Sequence, residues 1–434
     1  MKISLVNLKQ FILYFILIFA YRIVLDWGYR CIVVRYYDYM GYYNAQTDVF
    51  FWISYLCLIT GIMASGYCFI KTESNISSKI IALLYLIVYV PFTSLIRFGH
   101  FPCRFILLNI IYWLNILLFN WLGSSGKLKL TAYKMRNNNT ALKLFFWMAI
   151  IAAWFIIIGV SGKYANFHLN FSLENVYELR AQAKADSMPK IMRYFFGWAR
   201  AASLVAIAYY TNKKRYIYVI VSFFVLLLSF GYDGSKGILF SGIIVVLINI
   251  VPGKQLLRDN KVILLGVTLV VLLGNVVYLI SGNYSLVSYI TRRTLYTPAH
   301  LNWAYYDYFL LRTPDYFRGS FLRHFGFSTP YPNLALLIGA EYANNFSANN
   351  GMFGDAYANL GAAGVIVMPV LIIAFFKVLD RCTSELDGLF CLSIASYIAL
   401  ELADSAFFSS LLSHGLLIIA LLVSLINKAD KKKV

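Results

Sequence analysis

Long apolar runs separated by short polar stretches dominate the chain of 434 residues, with a spacing that suits membrane spans rather than the two-residue alternation of half-buried strands. The runs lie near 8–25, 49–70, 79–96, 104–122, 142–159, 194–211, 216–231, 237–251, 261–281, 361–377, 388–404 and 406–426. Most approach the roughly 20 residues that a helix needs to cross a bilayer. The pattern therefore predicts an all-α polytopic membrane protein of about twelve transmembrane helices. Lys2 and Lys9 precede the first run as in a signal peptide. The run continues into Tyr21, Arg22 and Asp26 without a small-residue cleavage site, so an uncleaved first span is expected.

Most connections are short, and two are not: 160–193 and 282–360. Loops of that length inside a compact domain are usually functional. The first contains Leu173-Glu174-Asn175-Val176-Tyr177-Glu178-Leu179-Arg180, with a helix-like period. The second carries Arg292-Arg293, a candidate helix over 299–311, then Arg312, Arg318, Arg323-His324, Glu341 and Asn349-Asn350-Gly351.

Composition narrows the class. With 60% hydrophobic and 13% charged residues, against about 25% charged in an average soluble domain, the chain is not a soluble globule, a disordered tail or a small disulfide scaffold. Its six cysteines show no CxxC spacing and predict neither a disulfide nor a metal framework. No Walker motif, HExxH or GxSxG occurs, which argues against nucleotide-driven or zinc chemistry.

The net charge of +19 changes meaning once sides are assigned. Lys and Arg concentrate in the short loops on one side, which makes that side cytoplasmic and places both termini there. The inner side holds 21 Lys and Arg against 6 Asp and Glu, a balance of +15. The outer side holds 17 against 13, a balance of +4. Most of the charge is an orientation signal and does not call for nucleic acid. The residue types also divide: 17 Lys and 4 Arg inside, 4 Lys and 13 Arg outside. Positive-inside bias does not distinguish the two. Arg offers a planar fork suited to phosphate and carboxylate, so the outer face is expected either to hold an anionic ligand or to pair its arginines with the outer acids.

Several residues carry candidate chemistry. His300 and Asp307 fall on one face of the expected helix beside Trp303, the spacing of a base and an orienting acid; the alternative is a hydrogen-bonded structural histidine. Arg200, inside the sixth run, either contacts an anion or a partner acid, or snorkels outward. Gly231-Tyr232-Asp233-Gly234-Ser235-Lys236-Gly237 is either a glycine turn in which Asp233 and Lys236 neutralise each other or an anion site at a helix start. Arg97 and Arg104 flank a tight turn and read as edge anchors. The 34 Tyr, 34 Phe and 8 Trp read first as interface belts, with Tyr-rich 36–43 and 305–308 also able to stack on sugars.

These features together resemble the bacterial O-antigen polymerase (Wzy) family, within the polymerases and ligases of lipid-linked glycans. The resemblance lies in about twelve spans, both ends inside and two enlarged periplasmic loops. Locally, Ser235-Lys236-Gly237 is similar to the family's Ser-Arg/Lys-Gly at a span start. Asn349-Asn350-Gly351, Gly354-Asp355-Ala356-Tyr357, Leu360-Gly361 and Gly364 are similar to its approach to the next span. Arg323 and Gly339 stand with fifteen residues between them, a spacing some members share, and Arg180 with Gly197 is an approximate counterpart. The ligase branch has His-Asn where this chain has Ala348-Asn349-Asn350, which favours polymerase over ligase.

The resemblance implies a membrane glycosyltransferase of C-type architecture in the bacterial inner membrane, with a periplasmic active site. The growing glycan would move from undecaprenyl pyrophosphate to the non-reducing sugar of a new repeat unit. Arg180, Arg200, Lys236, Arg292, Arg293, Arg312, Arg318, Arg323, Asn349 and Asn350 would hold pyrophosphate and glycan. His300, Asp307, Glu341 or Asp355 would take the acceptor proton. No metal or other cofactor is expected. Membrane lipids, and a flippase and chain-length regulator of the same pathway, are the implied partners. A lipid-linked oligosaccharide flippase is the competing transporter class, an O-antigen ligase the nearest enzyme alternative.

Overall fold

The computed structural model describes residues 5–45, 47–70, 75–124, 140–165, 167, 188–251, 253–320, 322–342, 347–349, 351–384 and 386–426. Among these residues every regular element is helical. The chain opens with α1 (Leu5–Gly28), α2 (Asp48–Ile70), α3 (Ile76–Phe98), α4 (Cys103–Ser124) and α5 (Thr140–Ala165). It continues through α6 (Lys190–Asn212), α7 (Tyr216–Asp233), α8 (Lys236–Ile250) and α9 (Asn260–Ser281). The long connection that follows contains α10 (Thr297–Leu310) and α11 (Leu334–Tyr342). The last part holds α12 (Met352–Leu360), α13 (Gly364–Thr383), α14 (Gly388–Asp404), α15 (Phe407–Leu412) and α16 (Leu416–Leu425).

Among the described residues eight stretches are long and apolar enough to cross a membrane: Asn7–Met40, Asp48–Ile70, Ile76–Phe98, Cys103–Ser124, Leu142–Ala165, Tyr216–Asp233, Asn260–Ser281 and Met352–Thr383. By length and composition the chain is a multi-pass α-helical membrane protein. The other four expected spans differ for physical reasons. Lys190, Arg193 and Arg200 dilute the apolar character of α6. Helices α8 and α14 have 15 and 17 residues, fewer than the roughly 20 of a typical span. The expected span 406–426 is broken between α15 and α16, where Gly415 adopts a φ of 79°.

Helix α3 is the hub. Its apolar stretch is wholly buried, as befits a helix that is apolar all round, and α2 and α14 pack against it. Helices α5, α6 and α7 form a second group, which α8 links to α14; α9 lies along α1, and α13 along α4. Small residues set the closest approaches. A Cβ added at Gly197 would lie 2.0 Å from the Ser413 carbonyl oxygen, whereas one at Gly266 would meet nothing within 4 Å. Because backbone cannot step aside as a side chain can, Gly197→Ala is expected to cost about 1–3 kcal/mol or more. A lowered melting temperature in detergent, with Gly266→Ala nearly unchanged, is the expected result.

The two ends of the bundle differ in chemistry. At the Lys-rich end the Lys79 ammonium donates to the Arg258 carbonyl (3.1 Å), Arg258 pairs with Asp387 (2.7 Å) and Lys377 with Asp380 (3.0 Å). The segments expected on the inner side are thus gathered together. The opposite, Arg-rich end is covered by the chain between α9 and α13. This chain is helical from Ser285 to Leu310. Its α10, close to the expected 299–311, buries Ala299, His300, Tyr305 and Tyr306 and packs against α12. The last nine residues of the expected loop 282–360 form α12, which continues into the apolar α13.

Candidate functional site at the arginine-rich end

A polar knot lies between α1 and α3, inside apolar surroundings. One carboxylate oxygen of Asp26 accepts from Arg22 Nε (2.7 Å) and the Ser94 hydroxyl, and the other from Arg97 Nη1 (2.7 Å). Arg22 is fully buried and also donates to the hydroxyls of Thr93 (3.0 Å) and Ser54 (3.3 Å). The Tyr296 hydroxyl meets Ser94 at 2.7 Å, which ties the long connection to the knot. Every hydrogen-bonding arm of Arg22 is therefore occupied, the condition under which a buried charge is tolerated.

Three π-helical segments, Tyr29–Val33, Tyr85–Tyr89 and Ser288–Tyr296, belong to the elements around this knot, and the third packs against both others. A widened turn shifts the backbone pairing, and the Leu86 carbonyl accepts the Tyr21 hydroxyl at 2.9 Å. Such turns recur at functional sites. The ring of Tyr29 lies 4.9 Å from that of Tyr296 and 4.6 Å from Phe98, closing the knot on one side.

The arginines expected to bind pyrophosphate divide into two groups. Arg200 grips Asp233 in bidentate fashion (2.7 and 2.8 Å), donates to the Ser229 carbonyl and lies over Phe196. Of its open readings, the partner acid is what it contacts. Asp233 consequently serves Arg200 and the Ser235 N–H (3.0 Å). Arg318 is held by the Asp315 carbonyl at 2.8 Å, and Arg312 by the Tyr308 carbonyl at 2.7 Å with Glu341 at 3.7 Å.

Arg292, Arg293 and Arg323 form the other group: among the described residues no carboxylate pairs with them. Arg292 is half-buried, stacks 4.2 Å from the Tyr37 ring centre, touches Ser288 Oγ (3.3 Å) and Met40 Sδ (3.6 Å), and leaves Nε without a partner. Arg293 and Arg323 are exposed. Lys236 opens α8, with its side chain outside the described part; Arg180 and Asn350 lie outside the described residues, as does most of 160–193.

The expected proton acceptors are scattered. His300 is buried, hydrogen-bonds the Met40 backbone and lies 4.9 Å from the Tyr42 ring; burial pushes it down to about 4, so it is neutral at pH 7. Its partner is this turn rather than Asp307. The Asp307 carboxylate accepts from the Tyr342 hydroxyl at 2.7 Å; burial and that carboxylate raise the phenol above its ordinary range. Glu341 is next in sequence, so Asp307, Arg312 and Glu341 meet where α10 contacts α11. Asp355 is buried and accepts from Asn359 Nδ2 (2.8 Å) and the Phe407 N–H (3.0 Å), clamping α12 to α15. Asn349 is exposed and accepts from Ser347 (3.2 Å).

Met40 thus brings Arg292 and His300 to one turn, where Gly41 (φ 85°) would place a Cβ 3.2 Å from His300 Nε2. Asp26 was the residue that sequence reasoning passed over. The available signal was Arg22 four residues before it within an apolar helix, a spacing that pairs side chains. Compared with known proteins, the chain matches no family model, no curated protein and no solved structure.

Proposed function

We propose that the chain polymerises lipid-linked oligosaccharide repeat units, as a membrane glycosyltransferase of about twelve spans in the bacterial inner membrane. The observation that carries this reading is the unequal use of arginine at one end of the bundle. Arg200, Arg312 and Arg318 are spent on internal partners, while Arg292, Arg293 and Arg323 keep their charge free of carboxylates among the described residues. Guanidiniums without carboxylate partners, one of them stacked on Tyr37, suit a pyrophosphate joined to sugars.

In this reaction the C1–O bond between the growing glycan and undecaprenyl pyrophosphate breaks, and a hydroxyl oxygen of the incoming repeat unit bonds to C1. The hydroxyl proton passes to a base, and the lipid pyrophosphate leaves with its charge neutralised by arginine. Charge stabilisation on the leaving group is the dominant demand. Asp307 and Glu341, both reachable near α11, suit the proton better than the enclosed His300 or the clamped Asp355. The helical connection between α9 and α13 supplies the cover that keeps water from the reacting sugar.

Deleting the gene and resolving surface glycan on a gel tests this reading. Cores bearing one repeat unit are the expected result. Cores bearing none would instead fit a flippase or a ligase. Complementation with Arg323→Ala is expected to give short chains or none with normal membrane insertion; wild-type chain lengths at normal expression would remove Arg323 from the site.

A further inference from the structure

A cavity of about 480 Å³ opens beside the buried knot at the Arg-rich end of α1. Its polar wall is formed by Asp26, Arg30, Arg97 and Asn44, and its other wall by Ile23, Trp27 and Cys31. The intervals between Ile23, Trp27, Arg30 and Cys31 place them on one helix face. Ile23 is 60% exposed, so the apolar wall runs out to the lateral surface of the bundle.

The charge around this space is not balanced. Asp26 is the single carboxylate of the knot and is already shared by Arg22 and Arg97. Arg97 spends Nη1 on Asp26 and leaves Nε buried without a partner. Arg30 has no carboxylate partner among the described residues. The lining itself holds two guanidiniums, Arg30 and Arg97, against the one carboxylate of Asp26, a surplus of one positive charge, and Arg22 buried behind it adds a second. An anion entering here would offset that surplus and could accept from the Arg30 and Arg97 guanidiniums in the lining. The site therefore joins a cationic polar wall to an apolar wall that reaches the position of lipid chains.

We propose that this cavity binds the phosphate group of an anionic lipid, held by Arg30 and Arg97, with the hydrocarbon chain along Ile23 and Trp27. This assignment stands independently of glycan polymerisation. Cys31 provides a local reporter: it and Cys103 are exposed, while Cys57, Cys68 and Cys391 are buried. The experiment measures maleimide labelling of each cysteine by peptide mass spectrometry on the full chain in detergent. Farnesyl phosphate, farnesol and inorganic phosphate are compared at equal concentration.

Farnesyl phosphate is expected to slow labelling of Cys31 and leave Cys103 unchanged. Arg30→Ala, a change at an exposed side chain without a carboxylate partner among the described residues, should raise the protecting concentration about tenfold or more, the worth of one charge-assisted hydrogen bond. An unaltered Cys103 rate verifies that this variant is folded. Ile23→Trp, which fills the apolar wall and keeps both arginines, should also weaken protection. Equal protection by farnesol would overturn the phosphate assignment, and equal protection by inorganic phosphate would overturn the lipid assignment. Protection unchanged in Arg30→Ala would overturn the site.

Discussion

Asp26→Ala is expected to destabilise the protein more than any other single change at the Arg-rich end. Arg22 is fully buried, and its carboxylate partner among the described residues is Asp26, at 2.7 Å. Removing that partner leaves an uncompensated buried charge, a loss of about 3–5 kcal/mol. Arg97 and the Ser94 hydroxyl lose the same acceptor, so the damage spreads to α3 and, through Tyr296, to the long connection. The measurement is thermal unfolding of the purified chain in detergent, followed by its monodisperse fraction. Asp26→Asn should lie between, since an amide oxygen still accepts while the negative charge is gone. The double variant Arg22→Met/Asp26→Leu should recover only part of the loss, because Arg97 still lacks its acceptor, and adding Arg97→Met should recover most of it by removing all three buried charges together. Wild-type melting of Asp26→Ala would show that the knot contributes nothing to the fold.

The knot also shows where sequence reading reaches and where it stops. Helical spans follow from apolar runs, because a run of that length has nowhere else to put its backbone polar groups than into a helix. The helix beginning near Thr297 was likewise visible in its pattern, and so was the concentration of arginine on one side. Partnership was not visible. Asp233 stands three residues from Lys236, whose side chain lies outside the described part, and the spacing gives no hint of a second partner. The structure pairs Asp233 with Arg200, 33 residues earlier, because the packing of α6 on α7 presents both prongs of the guanidinium to it. Arg97 reaches Asp26 across 71 residues in the same way.

Continuity of helices was legible only in part. The run 406–426 is apolar enough to suggest one span, but Ser413, His414 and Gly415 break it, and His414 Nδ1 lies 2.7 Å from Glu401 Oε2. Nothing in local hydropathy reveals that Trp198 donates to the Leu412 carbonyl at this break. A break stabilised from another helix leaves little trace in its own segment. His300 illustrates the converse: its spacing to Asp307 is that of a catalytic pair, yet the turn carrying Met40 and Tyr42, distant in sequence, occupies its ring.

Arg292→Ala is the substitution expected to affect activity most. Its guanidinium is oriented by the Tyr37 ring and Ser288 and has no carboxylate among the described residues, so its charge is available to a ligand. If the proposed transfer proceeds with Arg292 neutralising the departing pyrophosphate, losing that group should slow polymerisation about 10²–10³-fold, as removal of one preorganised donor does elsewhere. Lys at this position keeps the charge but not the planar fork and should restore only part of the rate. Arg200→Ala provides the contrast. Its partner Asp233, half-buried, would lose its bidentate cation, so a reduced yield of folded protein is expected before any specific loss of rate. The assay is chain length on surface glycan, normalised to the amount of protein in the membrane. Arg292→Ala with normal chain lengths would remove this residue from the reaction. Loss of chains that merely tracks loss of protein would assign Arg292 to packing against Tyr37 and Met40, leaving Arg293 and Arg323 to carry the charge.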